Sequence, residues 1–153
     1  MPRLNLSPFI TTLDPVENRG DQLPRARILL ADDYTAILDH VRDMLKDEYE
    51  IIGAVADGNS VCSEVKKLKP DLTVLDISLG ECSGIAIARR LREQGYAGEI
   101  VFLTVHEDPD FVSAAIGAGG RGYVIKSRVS LDLRPAVKAA LLHRVFVSTL
   151  GRD

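Results

Sequence analysis

The chain has 153 residues, enough for one domain with a full hydrophobic core and too few for two ordinary ones. With 46% apolar and 27% charged residues and a net charge of −3, it has no bias toward a nucleic-acid backbone or an anionic membrane. No apolar run approaches the ~20 residues of a membrane span. No basic-then-apolar leader opens the chain, so the expected location is cytoplasmic. Cys62 and Cys82 match no metal or redox spacing, and no disulfide is expected.

Residues 1–24 carry Pro2, Pro8, Pro15 and Pro24 with no helical or strand period, which predicts a flexible extension. Residues 25–145 alternate regularly. Arg27-Ile28-Leu29-Leu30-Ala31 reads as a strand buried on both faces. Ile37, Leu38, Val41, Met44 and Leu45 recur at helical spacing. Ile51 to Val55 is a second strand, and Val61, Val65 and Leu68 mark a second helix stopped by Pro70. Leu72 to Leu75 is a third strand, followed by a helix from about Gly84 to Gln94 that Gly95 ends. Ile100 to Leu103 is a fourth strand, with a helix through Phe111, Val112, Ala115 and Ile116. Gly122 to Ile125 is the fifth, and the last helix carries Val137, Ala140 and Leu141. Pro135 in a helix interior would cost about 3 kcal/mol. The expected remedy is Asp132 as N-cap and a start near Leu133. Residues 146–153 read as a tail.

Five strands alternating with five helices predict an α/β three-layer sandwich around a five-stranded parallel sheet. In such a sheet the C-terminal strand ends face one crevice, where ligands bind. Asp32 and Asp33 follow the first strand, Asp76 ends the third, Thr104 ends the fourth and Lys126 ends the fifth. Two carboxylates ~4 Å apart repel by about 4 kcal/mol at an effective dielectric of ~20, so three need cations. Lys126 supplies one. A hard divalent ion with oxygen ligands supplies the other, and Mg2+ fits because it combines one or two carboxylates with phosphate oxygens and water. This set suits phosphoryl transfer to a carboxylate.

The stretches Leu-Leu-Ala-Asp32-Asp33, Leu-Asp76-Ile-Ser-Leu-Gly-Glu-Cys-Ser-Gly84, Leu-Thr104-Val-His-Glu-Asp and Gly-Tyr123-Val-Ile-Lys126 stand in order at compatible spacings. Over about Arg25 to His143 the chain resembles a response-regulator receiver domain of two-component phosphorelay signalling. The last two stretches are most similar to the NarL/FixJ branch. The resemblance implies a flavodoxin-like fold with strand order 2-1-3-4-5, and Asp76 as the phospho-acceptor, carrying an aspartyl phosphate. It implies Mg2+ held by Asp33, Asp32, Asp76 and the Ser78 carbonyl. Thr104 and Lys126 would contact the phosphoryl group, with Thr104 and Tyr123 as switch residues, Tyr123 turning inward. The implied partners are a sensor histidine kinase or phosphotransfer protein and, on phosphorylation, a second copy of the chain. The protein would assist its own phosphorylation and dephosphorylation without being an enzyme in the ordinary sense. The family usually has proline four residues after the acceptor. Here that position is Gly80, at a cost in loop rigidity of about 0.4–1 kcal/mol through the unfolded state.

Other readings compete. Asp32-Asp33 alone reads equally well as a helix cap, and Tyr123 as plain core. A haloacid-dehalogenase-like phosphatase also uses an aspartyl nucleophile, magnesium, Thr and Lys. There the nucleophile ends the first strand in an Asp-x-Asp pattern, unlike Asp76. A scaffold that kept the fold without phosphorylation would have lost a site residue, and none is lost. The segment from Leu142 to Leu150 resembles the lead-out toward a helix-turn-helix domain, so the expected output is either a stand-alone receiver or part of a DNA-binding regulator. This stretch of chain itself is expected to bind neither nucleic acid nor membrane.

Overall fold

The computed structural model describes residues 24–149, so the extension expected before Pro24 lies outside the described residues. Strands β1 (Arg27–Ala31), β2 (Glu50–Val55), β3 (Leu72–Leu75), β4 (Glu99–Thr104), β5 (Gly122–Ile125) and β6 (Phe146–Val147) form one parallel sheet. Its order is β2-β1-β3-β4-β5-β6. The helices are α1 (Thr35–Leu45), α2 (Val61–Leu68), α3 (Gly84–Glu93), α4 (Pro109–Gly117) and α5 (Val129–Leu141). The three-layer α/β arrangement is the one the alternation predicts. The sheet differs in one respect: it has a sixth, two-residue strand, taken from residues read as a tail.

Side chains alternate across the sheet, and each face has its own core. Leu29, Ala31, Leu75, Phe102, Tyr123 and Ile125 pack under α2, α3 and α4. Ile28, Leu30, Val74, Val101, Leu103 and Val124 pack under α1 and α5. Burial on both faces explains why the central strands read as unbroken apolar runs. The chain leaves β1 for β2, then crosses back to β3, which puts a reversal of strand order between β1 and β3. The loops after those two strands diverge there, leaving the crevice that Asp32, Asp33 and Asp76 border.

Helix ends follow local chemistry. Ser83 caps α3 by accepting from the Ala86 N–H, and Gly95 (φ +90°) terminates that helix in the left-handed region. Gly84 is required by close approach: a Cβ there would lie 2.1 Å from the Asp76 carbonyl oxygen. The start of α5 is not where the sequence puts it. The helix begins at Val129, with Arg128 at the N-cap position, and Pro135 lies inside it. Both Pro135 and Leu131, whose carbonyl the proline leaves unpaired, face solvent. Water can satisfy that carbonyl, so the interior proline is tolerated.

Asp132 is not a cap. Its buried carboxylate accepts from Arg128 Nε at 2.7 Å and from Ser148 Oγ at 2.7 Å. Ser148 Oγ in turn accepts the Ile125 N–H at 3.1 Å, and the Ser148 N–H donates to the Tyr123 carbonyl. These contacts fasten β6 to the edge of β5. The Arg128 and Ser148 hydrogen bonds outweigh desolvation by burial and hold the Asp132 carboxyl below its ordinary range.

Candidate functional site

Asp32, Asp33 and Asp76 each offer a carboxylate oxygen within 4.8 Å of the others. Asp32 and Asp76 are buried and Asp33 is exposed. Lys126 Nζ bridges the two buried carboxylates, 2.9 Å from Asp32 Oδ2 and 3.1 Å from Asp76 Oδ2. The contact with Asp76 is an aligned hydrogen bond. That with Asp32 is an ion pair without hydrogen-bond alignment, which leaves Asp32 Oδ2 enclosed and without a donor. Backbone amides take the other oxygens. Asp32 Oδ1 accepts from the Tyr34 N–H, Asp76 Oδ1 from the Ser78 N–H and Asp33 Oδ2 from the Gly80 N–H.

Desolvation by burial, followed by the charge of Asp32, holds the Asp76 carboxyl above its ordinary range. The Ser78 amide and Lys126 oppose this without reversing it. For Lys126, burial pulls the ammonium down, but the contacts with the Asp32 and Asp76 carboxylates outweigh it and the pKa is raised. Three carboxylates against one ammonium leave two negative charges in the crevice. That balance and the all-oxygen donor set fit a hard divalent cation. Among the described residues this is the one acidic group with metal-holding geometry. A groove of about 870 Å³ opens between α2 and α3, lined by Lys66, Tyr96 and Glu99. It lies toward the N-terminal ends of β3 and β4, away from this chemistry.

Thr104 and Tyr123 stand one step off, both tied to the backbone of His106. The His106 N–H donates to Thr104 Oγ1 at 3.1 Å, and Tyr123 Oη donates to the His106 carbonyl at 2.7 Å. The Tyr123 ring is fully buried, and burial, reinforced by Asp108, pushes its phenol up to about 12. The ring already lies inside here, whereas the resemblance implied an inward turn. The His106 ring Nε2 lies 3.1 Å from Ser78 Oγ and its face stacks on Phe111 of α4, with centroids 4.3 Å apart. The imidazole thus joins the loop after Asp76 to α4. No sequence signal marks this, since its partner Ser78 lies 28 residues away.

The chain matches the response regulator receiver domain family over residues 28–138. It belongs to that family. The receiver is 33% identical over 128 residues to the transcriptional regulatory protein PdtaR of Mycobacterium tuberculosis, covering 83% of this chain and 62% of that protein. It is 27% identical over 113 residues to the DNA-binding transcriptional activator EvgA of Escherichia coli, covering 73% of this chain and 55% of that one. The crystal structure of a LuxR-family two-component response regulator from Aurantimonas superposes with a TM-score of 0.77 at 30% identity, over 81% of this chain and 90% of that one. The receiver thus spans about three fifths of the length of these curated relatives. No helix among its described residues is long and apolar enough to cross a membrane.

Proposed function

We propose that this receiver accepts a phosphoryl group on Asp76 from the phosphohistidine of a sensor kinase or phosphotransfer protein, and that Mg2+ is its cofactor. The observation that carries this reading is the Lys126 ammonium bridging Asp32 and Asp76 beside the exposed Asp33. Asp32, Asp33, Asp76 and the Ser78 carbonyl would hold the ion, which would neutralise charge on the phosphoryl oxygens. An Asp76 carboxylate oxygen attacks phosphorus in line, the donor P–N bond breaks, and the imidazole takes up a proton as it leaves. Lys126 turns from Asp76 to the phosphoryl oxygens, and the Thr104 hydroxyl donates to another. The Ser78 amide keeps the acceptor carboxylate oriented during the approach. These residues also work with a small phosphodonor, so the protein assists its own phosphorylation and hydrolysis. The phosphorylated receiver pairs with a second copy or acts on an output domain; the relatives PdtaR and EvgA are named as a transcriptional regulatory protein and a DNA-binding transcriptional activator.

Acetyl phosphate with Mg2+ should add one phosphoryl group, read by intact-mass spectrometry. Asp76→Ala should abolish it, and labelling that persists would defeat the assignment.

A further inference from the structure

We infer that the backbone amide of Gly80 is a positioning group for Asp33, and that this glycine serves the cation site. The inference rests on the magnesium reading above. Gly80 sits at the tip of a hairpin in which Ser78–Leu79 pairs antiparallel with Cys82–Ser83. Two amides of this hairpin, two residues apart, reach two carboxylates from different strand ends. The Ser78 N–H holds Asp76 Oδ1 at 3.1 Å, and the Gly80 N–H holds Asp33 Oδ2 at 3.0 Å. Asp33 is exposed, and the Gly80 amide is the hydrogen bond that orients its carboxylate toward the cluster. With Oδ2 fastened, the other oxygen is left for a cation. Less side-chain freedom then has to be lost when the cation arrives.

Gly80 stands at φ +61°, which turns the chain back into Cys82–Ser83 while its amide faces Asp33, a conformation open to glycine and, next best, asparagine. Proline can supply neither the angle nor the N–H. Two accounts of the glycine therefore differ. If it merely slackens the loop, asparagine, which is stiffer and fits the angle, should strengthen cation binding. If its amide is used, asparagine should bind as the glycine does and proline should weaken binding. A Cβ at position 80 meets no atom within 4 Å, so asparagine adds no clash, whereas proline loses the angle together with the N–H.

The test is calorimetric titration of the full chain with MgCl2, without phosphodonor, for wild type, Gly80→Pro, Gly80→Asn and Asp33→Asn. Gly80→Pro should bind about ten-fold more weakly, the scale of one hydrogen bond to a charged group. Gly80→Asn, which keeps the N–H and tolerates the angle, should stay within about three-fold of wild type. Proline binding as tightly as wild type or more tightly, or asparagine weakened as much as proline, overturns the inference. If Asp33→Asn binds like wild type, the cation-site reading fails with it. If only the Asp33 dependence survives, the site stands and the role of Gly80 falls. Because proline changes the backbone angle as well as the amide, amide exchange decides, whether or not Gly80→Pro folds. The Gly80 amide should exchange more slowly in wild type than in Asp33→Ala, and equal rates overturn the proposal.

Discussion

The Asp76 carboxyl is held above its ordinary range by burial first and by Asp32 second, so its ionised form opposes folding. A carboxyl with a raised folded pKa contributes stability below its unfolded pKa, and that contribution is lost as pH rises through the raised value. Removing the charge should therefore stabilise the domain at neutral pH. Asp76→Asn keeps the shape and leaves Lys126 paired with Asp32. We expect a gain of about 1 kcal/mol in urea unfolding at pH 7 without divalent ions, the scale of a partly offset pair repulsion. The gain should shrink as pH falls toward the ordinary carboxylate range, where wild-type Asp76 is protonated too. Unfolding curves that coincide at pH 7, or a gain that grows on acidification, would contradict the assignment of strain to this group. Magnesium should act in the same direction as the substitution, stabilising wild type by about 2.7 kcal/mol at a hundred times its Kd. That increment should be largely absent in Asp33→Asn.

At the scale of elements, the legible parts are those whose residues speak for themselves. The strands β1, β3 and β5 are buried on both faces, so each is a mostly apolar run with bounds that need no partner to read. Asp32, Asp33, Asp76 and Lys126 follow from the topology once those strands are placed. What stayed hidden depends on contacts between residues far apart in the chain. Phe146–Val147 is too short for any period, and its place in the sheet is secured by Ser148 bonding Asp132, 16 residues away. Asp132 read as a cap because a carboxylate three residues before a proline is the usual local solution. The fold instead uses it as a buried latch, which leaves α5 free to start at Val129. Ser148→Ala tests this. It deprives both the Ile125 N–H and the Asp132 carboxylate of a partner inside the protein, a loss of about 1–3 kcal/mol. Urea unfolding should show that loss, and amide exchange at Phe146 and Ser148 should speed up more than at β4. A variant as stable as wild type would mean that β6 does not depend on the latch.

Across the whole molecule, the crevice and the β5 edge are joined by short covalent and hydrogen-bonded steps. Lys126 is the residue after Ile125, whose amide is held by Ser148. His106 connects four groups: Thr104 and Tyr123 through its backbone, Ser78 and Phe111 through its ring. A phosphoryl group on Asp76 adds charge and acceptor oxygens beside Lys126 and Thr104. If Thr104 turns its hydroxyl to those oxygens, it gives up the His106 amide. The loop after β4 then rests on the Tyr123 bond and the stack against α4. Since the Tyr123 ring is already inside, the change expected of it is a firmer hold on the His106 carbonyl, a population shift without a large movement. Beryllofluoride with Mg2+ mimics the phosphoryl group, and hydrogen exchange reads the response. Protection should change at residues 105–117 and 122–148 as well as in the Asp32 and Asp76 loops. Tyr123→Phe removes only the hydroxyl. It should raise resting exchange of the loop after Thr104 about five-fold, matching one hydrogen bond of ~1 kcal/mol, with phosphorylation of Asp76 retained. Exchange changes confined to the loops after β1, β3 and β5, identical in Tyr123→Phe, would show that the signal does not leave the crevice by way of His106.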